Sequence, residues 1–268
     1  MLIIDNTQFT TPAVGGTLAR YLLTLLLLAN TAAYAADDQD IEEDVSPSHF
    51  TSEVGLGFTA LAGNSDSQTL NANYDLQYIK GRYKTNADTS LLMAKKNGEE
   101  DKRKISANLK SQMLIRDGYY LYANGSYIDD RYGPYYVDSL ASAGIGYRLF
   151  SYETFQTLID IGPGFRHQDP NLDEIDDDIV KPEVVNEGVL QSSITMTWKP
   201  LKTLSFENKT NIVAGKSNTT IQNDLSLTNS ITDNIALSVG FNYTYYTWVP
   251  NNMKNFDSST IVSLIYSM

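Results

Sequence analysis

Apolar and polar residues alternate along most of this chain from Thr51 onward. The clearest example is the segment 70–78, LNANYDLQY, in which every even position is apolar and every odd position is polar. A period of two places successive side chains on opposite faces of an extended backbone. The segment therefore predicts a β-strand with one apolar and one polar face, and the same pattern continues to the C-terminus.

The alternation predicts an all-β chain of about twelve strands. Most of the predicted strands are longer than the five or six residues typical of soluble proteins, and they reach the ~9–11 residues that a tilted strand needs to cross a bilayer. The predicted strands are 51–62, 66–79, 82–95, 103–116, 119–129, 137–149, 154–167, 186–198, 203–215, 219–231, 235–248 and 258–268.

The predicted connections alternate in length. Tight turns such as Lys80-Gly81 and Asp117-Gly118 alternate with connections that include the longest ones, at Asn97 to Asp101, Gln168 to Val185 and Val249 to Asp257. Outer-membrane barrels have short turns on the periplasmic side and longer loops outside. An even number of strands would place both chain ends on the tight-turn side.

The N-terminus predicts export. Arg20 precedes a short apolar run, 21–29, and the A-x-A-like site Ala33-Tyr34-Ala35 follows it, which is typical of a secretory signal peptide. An N-terminal anchor helix is the alternative. The predicted division is a signal peptide over 1–36, a disordered acidic lead-in over 37–50 and a β-barrel over 51–268.

These patterns favour a transmembrane antiparallel β-barrel, an up-and-down meander in the outer membrane of a Gram-negative bacterium. The alternative is a soluble, lipocalin-like barrel with its apolar face inside. Strand length, loop asymmetry and the predicted signal peptide favour the membrane barrel. Its polar, lumen-facing positions would carry charges of both signs: Arg82, Lys84, Asp88, Lys104, Lys110, Arg116, Arg148, Asp160, Arg166, Glu207, Lys209 and Asp224.

Composition excludes several functions. The chain has no cysteine, so disulfides, thiolate catalysis and cysteine-bound zinc are absent. A formal net charge of -12 disfavours nucleic acid as a partner. The expected partners are outer-membrane lipids, lipopolysaccharide and the barrel-assembly machinery. The last strand, which alternates up to Tyr266 and Met268, would contact that machinery.

Two histidines are present, His49 and His167. One hypothesis pairs His167 with Ser192 or Ser193 on the next predicted strand as an acyl-transfer site in a lipid-modifying barrel. Such a site also needs a group that orients the base and an oxyanion hole, and no motif specifies either. We therefore predict no enzyme, no catalytic residue and no cofactor.

An acidic segment lies within the longest predicted loop. Closely spaced carboxylates attract Ca²⁺ or Mg²⁺, although the turn glycine and ligand spacing of an EF-hand are missing. A solvated acidic loop is the default interpretation, and a weak divalent-cation site is the alternative. The residues concerned are Asp173, Glu174, Asp176, Asp177 and Asp178.

The barrel region, from about residue 51 to 268, resembles the YdiY-like family of salt-induced outer-membrane proteins. The similarity lies in Gly55-Leu56-Gly57-Phe58, the turn 62–67, Leu70-Asn71-Ala72 and the stretch from Tyr78 to Arg82. The resemblance implies an outer-membrane barrel with no established chemistry, and it offers no catalytic residue. The C-terminal Met268 and the acidic loop depart from that pattern.

Two functional hypotheses follow. The first is a structural or permeability barrel of the envelope, which the resemblance links to salt or osmotic stress. The second is a narrow channel for ions or small polar solutes. A barrel of twelve strands lies between small filled barrels and the 16–18-stranded porins with open pores. Its lumen charges could therefore either pair and close the bore or line an aqueous path.

Overall fold

The computed structural model describes residues 47–61, 67–116, 118–171, 183–248 and 254–268. These residues form a closed barrel of twelve antiparallel strands. The strands are β1 (His49–Leu61), β2 (Ser67–Lys80), β3 (Tyr83–Lys96), β4 (Glu99–Arg116), β5 (Tyr119–Asp130), β6 (Tyr135–Ser151), β7 (Phe155–Pro170), β8 (Val185–Trp198), β9 (Leu204–Ala214), β10 (Thr219–Ser230), β11 (Ile235–Tyr246) and β12 (Phe256–Ser267).

Each strand pairs with its neighbour in sequence, and β12 pairs with β1 to close the barrel. The predicted twelve-stranded meander is therefore confirmed. The closing seam is the shortest ladder, since Glu53–Leu56 pair with Leu264–Ser267. Reciprocal backbone hydrogen bonds between Ser52 and Met268, at 3.2 and 2.8 Å, extend this seam toward the start of β1 and the finish of β12. The end of the barrel where β1 starts and β12 finishes is called the tight-turn end, and the opposite end of the barrel is called the loop end.

Several predicted strand boundaries differ from the structure. The loop predicted from Asn97 to Asp101 is a two-residue turn, because Asn97 and Gly98 adopt φ values of 52° and 86°. Such a left-handed pair matches the twist of a hairpin, so β4 starts at Glu99. Also, His49 and Phe50, predicted as the end of the disordered lead-in, are the first residues of β1. The predicted leader over 1–36 lies outside the described residues.

The two faces of the strands differ in the expected sense for a barrel in lipid. On β12, Val262, Leu264 and Tyr266 are 54, 53 and 50% exposed, whereas Ser263 between them is 8% exposed. The apolar face therefore points outward and the polar face points into the lumen. A soluble barrel would bury its apolar face inside, so this arrangement contradicts the lipocalin-like alternative.

The lumen contains little apolar packing. One small buried cluster consists of Leu140, Val189 and Val213, on β6, β8 and β9. Most of the buried side chains are polar, among them Asp160, Arg166 and Gln168. In the part of the chain described here, no helix is both long and apolar enough to cross a membrane.

Candidate functional site in the barrel lumen

A cavity of about 540 Å³ occupies the lumen. Its wall comes from inward positions of β2 to β5 and β8 to β12, where the two-residue period places polar side chains. Both signs of charge are present. The charged residues that line it are Asp75, Asp88, Lys102, Lys104, Lys110, Asp130, Glu207, Lys209, Asp224 and Asp257.

Few of these charges are neutralised by one another. Among the described residues, the salt bridges of this cavity are Lys104–Asp130 at 3.7 Å and Lys110–Asp160 at 2.5 Å. Asp88 accepts a 3.0 Å hydrogen bond from the Asn108 amide. A charge without a partner is costly to bury in a dry interior, so most of this wall requires water.

Asp160 is the centre of a buried network beside this cavity. Its side chain is 2% exposed, and three groups contact its carboxylate. The Tyr120 hydroxyl donates to Oδ1 at 2.7 Å, and the Ser193 hydroxyl donates to Oδ2 at 2.7 Å. The Lys110 ammonium is 2.5 Å from Oδ2 and 5.2 Å from the centre of the Tyr122 ring. Both carboxylate oxygens are therefore satisfied within the protein.

The neighbouring ladder explains how these rings fit inside a narrow barrel. Tyr120 and Tyr122 point into the lumen from β5 and pair directly with Gly146 and Gly144 of β6. A Cβ at Gly146 would overlap the Tyr120 ring. An aromatic ring lying over a cross-strand glycine covers backbone that would otherwise be bare.

A second buried cluster lies near the loop end, around Arg166. Its side chain is 1% exposed, forms a salt bridge with Glu187 and donates to the Asn218 carbonyl at 2.7 Å. Glu187 also accepts from the Ser217 hydroxyl at 2.5 Å and from the Ser217 amide at 2.9 Å. These bonds attach the turn between β9 and β10 to β7 and β8. Arg166 Nε and Asn218 Nδ2 are buried and have no hydrogen-bond partner among the described residues.

A smaller cavity, of about 80 Å³, lies on the other side of the Asp160 network. Tyr120 lines this cavity, while Lys110 and Ser193 line the larger one. Since all three contact Asp160, the network separates the two spaces. The smaller cavity is near the tight-turn end, and its lining residues are Arg82, Lys84, Gln112, Leu114, Tyr120, Arg148, Gln156 and Leu158.

The twelve charges predicted to face the lumen have different positions in the structure. Asp88, Lys104, Lys110, Glu207, Lys209 and Asp224 line the larger cavity. Arg82, Lys84 and Arg148 line the smaller one, and Asp160 and Arg166 are buried. Arg116 lines neither cavity. It is exposed at the end of β4, where an irregularity in the β4–β5 ladder shifts the register.

Several charged residues of the lumen were not predicted. Asp75, Lys102, Asp130 and Asp257 line the larger cavity, and Glu187 binds Arg166. Asp75 could have been included, because it occupies an odd, polar position of the 70–78 segment. Lys102 preceded the predicted start of β4, and Asp257 preceded that of β12, so both were assigned to loops.

The predicted cation-binding residues lie outside the described residues. They are Asp173, Glu174, Asp176, Asp177 and Asp178. Within residues 47–268, excluding the undescribed stretches, no group of three or more His, Asp or Glu side chains is arranged to hold a metal ion.

The hypothetical pairing of His167 with Ser192 or Ser193 is wrong. His167 points outward, and its Nδ1 is 2.8 Å from Asn186 Oδ1 on β8. Ser192 pairs with Ile161, six residues farther along the ladder, or ~20 Å away. Ser193 points inward and donates to Asp160. Ser139 lies opposite His167 on β6, and no hydrogen bond joins their side chains in the described structure.

Several solved barrels are similar in shape. The NanC porin is 8% identical and has a TM-score of 0.46, over 81% of this chain and 98% of that one. The translocator domain of the autotransporter NalP from Neisseria meningitidis is 9% identical, with a TM-score of 0.43, over 94% and 97%. The KdgM porin, in complex with disordered oligogalacturonate, is 8% identical, with a TM-score of 0.42, over 81% and 99%.

Sequence comparison shows the family. The chain is 23% identical to the uncharacterized protein YdiY of Escherichia coli (strain K12), over 82% of this chain and 83% of that protein. The resemblance predicted from the glycine-rich first strand and the following turn is thus confirmed. A family model described as "Protein of unknown function, DUF481" matches residues 54–268. Because this match spans nearly all of the barrel, the chain belongs to the DUF481 family.

Proposed function

We propose that this protein is an outer-membrane β-barrel of the Gram-negative envelope whose lumen is a narrow aqueous path for ions or small polar solutes. The observation that carries the proposal is the larger cavity, of about 540 Å³, with its charged lining. Asp75, Glu207 and Lys209, for example, line it without a salt bridge in the described structure. Water in the lumen would hydrate them, and an aqueous lumen is what a channel needs.

The exterior supports the membrane location. Leu264 and Val262 are more than half exposed, and such a continuous apolar surface is unfavourable in water but favourable against acyl chains. A closed barrel pairs its backbone groups between strands, which allows it to cross the hydrocarbon layer. The first strand starts and the last strand finishes at the tight-turn end, which would face the periplasm.

A structural barrel with a closed lumen is the second candidate. The Asp160 network favours it, because Tyr120 and Lys110 fill the lumen between the two cavities. In this case the protein would strengthen the envelope without conducting. The link to salt or osmotic stress stays a prediction under both candidates.

Conductance in planar bilayers tests the channel. We expect the purified full-length chain, expressed with its own leader, to produce discrete current steps smaller than those of 16–18-stranded porins. Heat-modifiable gel mobility of the protein from outer-membrane fractions tests its location and folding. If the folded protein gives no current above the bare bilayer, the channel proposal is wrong and the structural barrel remains.

The cysteine-free sequence offers a matched test of the path. Gly240 of β11 lines the larger cavity and has 3.9 Å of space around an added Cβ, whereas neighbouring Val239 points outward. A charged thiol reagent should therefore reduce the conductance of G240C and leave that of V239C unchanged. Equal effects on the two variants would contradict conduction through this lumen.

A further inference from the structure

The smaller cavity is unlike the rest of the lumen in its charge. Arg82 lies in the turn before β3, Lys84 lies in β3, and Arg148 lies on the inner face of β6. No carboxylate is among the residues that line this space. The larger cavity, in contrast, is lined by both acidic and basic side chains.

No salt bridge neutralises the three cations within the described part of the protein. The Arg82 guanidinium carbon lies 5.6 Å from the centre of the Tyr83 ring. Glu207 acts on Lys84 electrostatically but forms no salt bridge with it. Asp160, which Tyr120 links to this cavity, is already satisfied by Lys110, Tyr120 and Ser193. The Asp160 network therefore does not neutralise the positive charge of this cavity.

The rest of the lining suits an anion as well. The side chains of Gln112 and Gln156 carry amide donors, and two guanidinium groups provide forked donors that match the geometry of an oxyanion. A water molecule takes up about 30 Å³ in the liquid. The cavity, of about 80 Å³, thus has room for a small oxyanion that is partly hydrated.

We propose that Arg82, Lys84 and Arg148 form a binding site for a small oxyanion, phosphate or carboxylate in class, at the tight-turn end of the lumen. This site would add anion selectivity to the proposed channel, and its physiological use rests on that proposed function. The site would make the lumen prefer anions at this end although the chain carries a net charge of -12. The lumen wall separates the cavity from lipid, so the ligand is a free solute.

Binding of inorganic phosphate tests the site without any measurement of current. The folded full-length protein is kept in a neutral detergent at low ionic strength, so that no lipid phosphate is present, and phosphate is titrated by calorimetry. We expect saturable binding that weakens as salt is added. Removing a charged donor, in R148Q or K84Q, should weaken binding by about tenfold.

Two variants control for charge and folding. K84R keeps the charge and should keep the binding. K202Q removes a cation that is exposed in the turn between β8 and β9, near the same end, and that lines neither cavity, so its binding should equal that of the wild type. Heat-modifiable gel mobility shows which variants are folded.

The outcomes separate this site from the channel. Phosphate binding that R148Q and K84Q weaken about tenfold, in a protein that gives no current, supports the site and contradicts the channel. A current without phosphate binding, and with no anion preference in a salt gradient, supports the channel and overturns the site. Binding that K202Q weakens as much as R148Q does would also overturn it, because it would show general attraction to surface charge.

Discussion

Two parts of the barrel wall differ in what they present to the lumen. The filled wall, β5 to β8, contributes long or ring-shaped side chains that are buried and paired with carboxylates of the same wall, such as Tyr120 with Asp160 and Arg166 with Glu187. The open wall, β10 to β12, contributes short polar side chains, such as Ser238 and Ser263, that line the cavity. The two walls have the same alternating pattern and similar strand lengths.

This difference indicates which wall stabilises the barrel and which wall borders the open cavity. In the filled wall, Gly146 of β6 makes room for the Tyr120 ring, and the Tyr120 and Ser142 hydroxyl groups bond to protein partners in place of water. Along the larger cavity, the open wall presents short side chains, such as Ser238 and Ser263, which form no hydrogen bond across the lumen in the described structure. The space in front of them is therefore open to water. The filled wall should therefore be sensitive to substitution, and the open wall should be tolerant.

The largest effect is expected at Asp160. D160A would leave the Lys110 ammonium buried without its carboxylate, and breaking a buried pair in this way costs about 3–5 kcal/mol. D224A, on the open wall, removes a carboxylate that has no salt bridge and should cost under about 1 kcal/mol. Urea unfolding in phospholipid vesicles, followed by tryptophan fluorescence, measures both. Equal losses would show that the two walls do not differ.

Substitution of lumen-facing glycines should have an intermediate effect on the free energy of unfolding. G146A would place a methyl group into the Tyr120 ring, and the displaced ring would lose its hydrogen bond to Asp160, at a cost of about 1–3 kcal/mol. G240A meets no atom closer than 3.9 Å and should be neutral within about 0.5 kcal/mol. The same unfolding measurement applies. A loss in G240A as large as that in G146A would contradict the proposed fit between ring and glycine.

The smallest effect is expected for single hydroxyl groups. S142A removes a buried donor to Gln191 Oε1 in the filled wall and should cost about 1 kcal/mol. S238A removes a 3.0 Å bond to Thr228 at the cavity surface, where water can replace it, and should cost a few tenths of a kcal/mol. A larger loss in S238A than in S142A would indicate that the open wall is dry.

Much of the fold could be predicted because its causes are local. The number of strands, their order and nearly all their bounds follow from a two-residue period and from turn residues, both of which are readable along the chain. The errors arose where one pattern had two interpretations. Asn97-Gly98 could start a long loop or form a tight turn, and the charged residues after it, which look like a loop, continue the strand.

The candidate sites could be predicted only in part. The alternation identified Lys84, Arg148 and Asp160 as polar-face residues, but no sequence signal indicated that Asp160 is shared by Lys110, Tyr120 and Ser193. These contacts join residues that are 33 to 50 positions apart. They depend on the axial offset between strands, which accumulates around a closed barrel.

By itself, the sequence determined that the chain forms long amphipathic strands joined in a meander, because side-chain polarity and turn chemistry act between near neighbours. The tertiary structure alone decided that the apolar face is the outer one. It also decided which lumen charges are paired, which ones line an open cavity, and that three cations share one cavity. Closure of the barrel sets these features, since it brings distant strands to opposite sides of one narrow space.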